Sequence, residues 1–428
     1  MLLSPSPISL LCALLLCLPL AIVFTITTPS TPLSSSSSAP PPPPPPPPPH
    51  PVLAKLTGAG RPTPNLPPMV KRLKTLQKPR NPISFPPPPP PPDPDKVFTK
   101  LPSPVVHEIS DEENGSIDDG DDQSLFRLAA GVNPNPKPPI KKLAFMFLTT
   151  TPLPFAPLWE AFFNKTPKNL YNIYIHADPR FNYTPPFRGV FARRVIPSKP
   201  TRRHSSTLTA AARRLLSRAL LHDESNYMFV LLSPACIPLH SFNFIYKTLT
   251  KSKKSFIEIL ANEPWAYDRW AARGEEAMYP EVKFEDFRIG SQFFVLKRKH
   301  ARIVVRDRRL WSKFKLPCLI SATCYPEEHY FPTLLSMVDP HGCVAATLTH
   351  VDWRGSHGGH PRMYQETEVG PELIWTLRSS RPRYGDEESN SSDASEGRRH
   401  DPFLFARKFS PECLLPLMNM ANDVIFKD

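Results

Sequence analysis

Glu327 and Glu328 stand together near the start of the stretch Cys324 to Thr333, CYPEEHYFPT. A carboxylate held within hydrogen-bond reach of a hydroxyl can remove its proton, so an acidic pair at one point of a chain is a candidate general base. Pro326 suits the first position of a helix, where its missing N–H costs nothing, and acids in the first turn complement the helix dipole. Successive helical residues point about 100° apart, so only one of the two carboxylates leads into a given pocket. Pro332 has no N–H to offer the carbonyl of Glu328, which predicts a kink or an interruption at that turn. A helix N-terminus lowers a carboxyl pKa and burial raises it; the residues alone leave both open for Glu328.

Other chemistry-bearing residues are sparser. Asp93-Pro94-Asp95 and Asp119-Gly120-Asp121 have the D-x-D form that holds a metal-bound nucleotide, but neither follows an expected strand and no metal site is assigned. Of seven cysteines, Cys12 and Cys17 fall in an apolar run, leaving Cys236, Cys318, Cys324, Cys343 and Cys413 for the folded part. There is no CxxC pair, and Cys318 and Cys324 lack the His partners of a zinc module. In an oxidising compartment these five allow up to two bridges and a free thiol. The net charge of +13 suits a polyanion, an anionic membrane, an acidic polysaccharide or a basic cleft for a phosphorylated ligand, and does not choose among them.

The elements that must position these residues begin near Lys141. Leu143 to Thr149 reads as a buried strand, Leu158 to Asn164 as a helix, and Leu170 to His176 as a second strand ending at Ala177-Asp178-Pro179. Ser206 to His222 has the period of a basic amphipathic helix, and Tyr227 to Leu232 that of a third strand, followed by Ser233-Pro234-Ala235-Cys236. Ser241 can cap a helix running to about Thr250; Phe256 to Leu260 and Phe287 to Leu296 read as further strands, with a basic helix to about Asp307. Strands alternating with helices predict an α/β fold with a mostly parallel, Rossmann-like sheet flanked by helices. Ligands bind such sheets at the carboxyl ends of the strands, where the loops at Thr149 to Thr151, Ala177 to Pro179 and Ser233 to Cys236 open.

Ahead of this lies different material. Ile8 to Thr28 is an uncharged run of about 21 residues, long enough at about 1.5 Å per residue to cross a bilayer. It reads as a signal-anchor behind a short cytosolic tail (1–28), with a cleaved signal peptide as the alternative. Residues 29–139 hold a Ser run, long Pro runs at Pro40 to Pro49 and Pro86 to Pro92, and an acidic patch from Asp111 to Asp122. Such sequence cannot bury enough apolar surface to order itself, and reads as a disordered proline-rich stem. The remaining 140–428 is expected to be one folded domain.

Five ordered motifs carry a resemblance: Leu231-Leu232-Ser233-Pro234-Ala235-Cys236-Ile237-Pro238, Gly290-Ser291-Gln292-Phe293-Phe294, Glu327-Glu328-His329-Tyr330, Val351-Asp352-Trp353 with Gly359-His360-Pro361, and Phe405-Ala406-Arg407-Lys408-Phe409. Together they resemble the plant branch of the Core-2/I-branching β-1,6-N-acetylglucosaminyltransferase family over about Lys141 to Phe409. The resemblance implies a GT-A-like domain in the Golgi lumen behind a single-pass type II anchor. It also implies inverting, metal-independent transfer of a sugar, N-acetylglucosamine or another hexose, from a UDP-sugar to a glycan or glycoprotein acceptor, with no cofactor. By the same resemblance Glu328 is the base and Lys408 the diphosphate-binding cation. Arg362, one residue off the expected spacing, is the candidate companion Arg, with Arg378 a weaker one.

Thr149, Thr150, Thr151 and Asp178 match donor-holding strand ends, Asp178 being equally a loop-capping Asp, and Ser233 stands where metal-dependent relatives keep D-x-D. Trp353, Asp352 and Glu327 are acceptor-side candidates, Trp353 by stacking on a sugar face or else as core. His357 and His360 are plausible contacts; His176 and His329 read as structural. Two departures stand out: Arg203-His204 where the plant branch usually has Trp-Gly, and no acid near Ala212 where it usually has one. They leave an inactive, glycan-binding protein as the alternative reading. A nucleic-acid binder rests on charge alone, and the apolar N-terminus argues against it.

Overall fold

The computed structural model describes residues 119–184, 187–274, 276–354, 360–387 and 399–428. The expected anchor, most of the expected stem, His357 and Asn390-Ser391-Ser392, an N-x-Ser/Thr glycosylation sequon, lie outside these residues; among the described ones no helix is long and apolar enough to cross a membrane.

Helix α1 (Asp119–Ala130) falls inside the segment expected to be stem. It forms because Leu125, Phe126 and Ala129 share a buried face, and because Asp122 neutralises Arg214 inside the protein. Composition averaged over the preceding proline-rich chain hid this short apolar face.

Strand β1 (Lys142–Thr149) pairs in parallel with β2 (Tyr171–Ala177) on one side and β3 (Asn226–Leu232) on the other. Its side chains alternate between two cores, as a period of two requires. Phe145 and Phe147 pack against Trp159 and Phe162 of α2 (Ala156–Phe163), while Ala144 and Met146 meet Ala212 and Leu215 of α3 (Ser206–His222). Ala212, near which an acid was noted as missing, is thus core. The chain continues through β4 (Ile237–Pro238) and α4 (Phe242–Lys251), whose N-terminus is capped by Ser241 Oγ accepting from Phe244 N–H. Then come β5 (Ser255–Phe256), α5 (Ala266–Trp270), β6 (Val295–Lys297), α6 (Arg298–Arg306), α7 (Arg309–Phe314), α8 (Pro326–Val338) and β7 (Cys343–Val344).

The first sheet has the order β2-β1-β3-β6-β5-β7. It is mostly parallel as expected, with β6 reversed against both of its neighbours. The strand expected over Phe287 to Leu296 shrinks to β6 because Gly290 turns away to meet α8; Ile289 keeps an isolated bridge to Leu260. A second sheet, order β4-β9-β8, was not foreseen. It joins β4 to β8 (Thr349–Val351) and β9 (Phe405–Arg407), each too short to carry a period. Helices α9 (Pro371–Ser379) and α10 (Leu414–Met420) complete the described chain.

Candidate active site

The loops at the carboxyl ends of β1 and β3, the start of α8 and the end of the second sheet enclose a cleft of about 960 Å³. Its wall includes both Glu328 and Lys408.

Helix α8 runs through Pro332 without the interruption that was one of the two expected outcomes. The carbonyl of Glu328, which Pro332 cannot serve, accepts instead from Gly290 N–H at 2.9 Å. Residue 290 must be glycine for this: a Cβ there would stand 2.0 Å from the Glu258 carbonyl oxygen and 3.4 Å from Pro332 Cβ. Thr333 Oγ1 adds a bond from Arg288 N–H at 3.0 Å, so the Gly-Ser-Gln-Phe-Phe loop and the Glu-Glu helix are one built unit. A disulfide between Cys318 and Cys324 ties the chain just before this helix, and Cys236, Cys343 and Cys413 are buried free thiols.

Of the two acids, Glu328 keeps 30% side-chain exposure toward the cleft, whereas Glu327 is 5% exposed with Oε2 unpartnered. Burial is the main influence on both and raises both carboxyls. Glu327 reaches about 7, while at Glu328 the Arg269 guanidinium, 3.2 Å away, pulls in the opposite direction without cancelling the rise. Arg269 also lies over the Tyr325 ring and 3.3 Å from Nε2 of the buried His329.

The second sheet sets the opposite wall. Val351 is in register with Arg407, so Trp353 and Lys408 emerge at the same end. Trp353 is 55% exposed with its indole on the cleft, which excludes the core alternative. Lys408 is half-buried, has no carboxylate partner among the described residues, and is drawn below the ordinary lysine value by burial and by the charges of Arg407 and Arg203. Arg407 stacks over Phe293 at 4.6 Å. Thr149, Thr150, Thr151 and Ser233 line the cleft at the ends of β1 and β3, as the topology demands.

Several expected site residues lie elsewhere. Asp178 is fully buried and accepts from Arg180 and Thr201; burial would raise its pKa, but these bonds hold it well below the usual carboxylate range, as in the loop-capping alternative. Asp352 is 4% exposed and paired with Arg354 at 2.9 Å, the main reason its pKa falls to about 2. Arg362 bonds Glu368 and stands 3.9 Å from Asp352 rather than on the cleft wall. Arg378 clamps the carbonyls of Leu239, Val424 and Ile425. In each case a nearer internal partner claims the group.

The cleft also holds residues the sequence analysis passed over. Glu258 lines it with a carboxyl pushed up to about 7, chiefly by burial; its trace in the sequence is the lone charge within the apolar run Phe256 to Leu260. Arg269, Arg381, Arg383 and Arg407 line it too, with Arg383 held by Glu263 and Arg381 by Glu387. Among the described residues no group of three or more His, Cys, Asp or Glu could hold a metal ion.

An α/β domain thus carries the Glu328 carboxylate and the Arg407 and Lys408 cations on the wall of one strand-end cleft. The sequence profile of the Core-2/I-branching enzyme matches residues 143–378, and the chain belongs to that family. The chain is also similar to glycosyltransferase BC10 of Oryza sativa subsp. japonica, at 30% identity over 327 residues, covering 68% of this chain and 80% of the rice protein. These likenesses agree with the plant branch indicated by the motifs.

Proposed function

We propose that this glycosyltransferase moves a sugar, N-acetylglucosamine or another hexose, from a UDP-sugar to a glycan acceptor with inversion at the anomeric carbon. The observation that carries the reading is that Glu328 and Lys408 face one cleft. The ionised Glu328 carboxyl takes the proton of an acceptor hydroxyl as its oxygen bonds to C1. The bond from C1 to the β-phosphate oxygen breaks, and its electron pair leaves with the nucleotide, toward Lys408. A base is most effective with its pKa near the working pH, and the raised Glu328 value moves it that way. Trp353 offers an aromatic face for the acceptor sugar. Metal independence is part of the proposal, supported by Arg407 and Lys408 on the cleft wall and checked by turnover in EDTA.

We place the domain in the Golgi lumen behind a type II anchor, with the membrane, the donor and a glycoprotein or free glycan as its partners and nucleic acid excluded. The disulfide suits an oxidising compartment, and Asn164 and Asn182 of two sequons are exposed. In the full chain, Glu328→Gln is expected to lower kcat at least about 100-fold while leaving UDP affinity within about twofold. Wild-type turnover by that variant would overturn the assignment.

A further inference from the structure

Arg203 sits on the loop entering α3 and reaches the cleft wall beside His360, with its Nη2 3.1 Å from His360 Nδ1. The first turn of α8 braces this loop. The Tyr325 ring packs on His204 at 4.6 Å between centroids, and the His204 backbone lies close enough to act on the Glu327 carboxyl. His204 has φ 59°, a left-handed backbone that disfavours a non-glycine residue, so the bracing holds a conformation that the loop alone would avoid. The turn that carries Glu328 therefore also fixes Arg203.

The cations on the cleft wall fall into two groups. Arg269, Arg381 and Arg383 are each paired with a carboxylate, Glu328, Glu387 and Glu263 respectively. Arg203, Arg407 and Lys408 have no carboxylate partner among the described residues, although the charge of Arg203 acts on both of the others. Uncompensated like charges gathered on one wall suit a ligand with more than one negative charge. Arg203 is also close enough for its charge to act on both Glu327 and Glu328, which places it at the reacting end of the cleft.

We infer that Arg203 is a third cation of the donor diphosphate subsite, beside Lys408 and Arg407, and that it contacts the departing β-phosphate. The inference rests on the reading of the cleft as a nucleotide-sugar site. A bound donor carries one charge on each phosphate; when the bond to C1 breaks, the electron pair adds a further charge at the β-phosphate. A third cation is matched to that developing charge and favours the transition state over the bound donor.

The test is calorimetric titration of the full chain with UDP and with UMP, which lacks the β-phosphate. Arg203→Gln is expected to weaken UDP about tenfold and to change UMP by less than about twofold, with Arg203→Lys recovering part of the loss. Equal effects on both nucleotides, or none on either while Lys408→Gln weakens UDP, would overturn the role of Arg203 alone. If Lys408→Gln also leaves UDP affinity unchanged, or the wild-type chain binds neither nucleotide, the nucleotide-sugar reading itself fails.

Discussion

With 5% exposure and one oxygen unpartnered, the Glu327 side chain has little to solvate a charge, and the folded protein keeps it protonated to about pH 7. The unfolded chain releases that proton near 4.5, so the folded state binds more protons between these values. The stability supplied by the neutral form is complete below about pH 4.5 and is lost as pH rises through 7. Glu327→Gln should flatten this dependence, and thermal melts from pH 5 to pH 8 would show a smaller fall in midpoint than the wild type. Glu328 titrates for a different purpose: only its ionised form accepts a proton, so activity should fall on the acid side of a raised pKa. The sequence marked the pair but not this division of labour. Burial separates the two side chains, and burial depends on what packs around α8.

At the scale of elements, the α8 N-terminus and the loop at Gly290 depend on each other through a single backbone bond. Gly290→Ala would drive a methyl against the Glu258 carbonyl, and the chain must shift at a point that carries both Glu258 and Glu328. A loss of about 1–3 kcal/mol is expected, with a larger fall in kcat than in donor affinity, read by denaturant unfolding and steady-state kinetics. Helix α1 supplies the second test. Asp122 accepts two hydrogen bonds from Arg214 Nε, at 2.8 and 3.0 Å, and both residues are buried. Asp122→Ala leaves a buried guanidinium without its charge partner, and a loss of about 3–5 kcal/mol follows, visible as a lower melting midpoint of the full chain.

Across the whole molecule, the long elements were legible and the short ones were not. The strand over Leu143 to Thr149 and the helix over Ser206 to His222 have enough residues to display a period, and both appear within a residue or so of their expected bounds. Strands of two or three residues such as β4, β8 and β9 display none, so the second sheet could be found only from tertiary pairing. The same limit explains the site. Glu328, Lys408 and Trp353 stood in motifs and line the cleft, whereas Asp178, Arg362 and Arg378, and Asp352 despite its motif, are claimed by partners distant in the chain or hidden in a turn. Arg203 stood in the sequence as a departure that left the inactive alternative open, and only the fold sets it beside His360.

The three-stranded sheet draws on residues 237–238, 349–351 and 405–407, and its central strand is the last to be synthesised. A ribosome making this chain therefore completes β1, β2, β3 and helix α8 well before it releases Lys408. A product that stops short of residue 405 would lack the central strand of the second sheet, and with it Arg407 and Lys408 on the cleft wall.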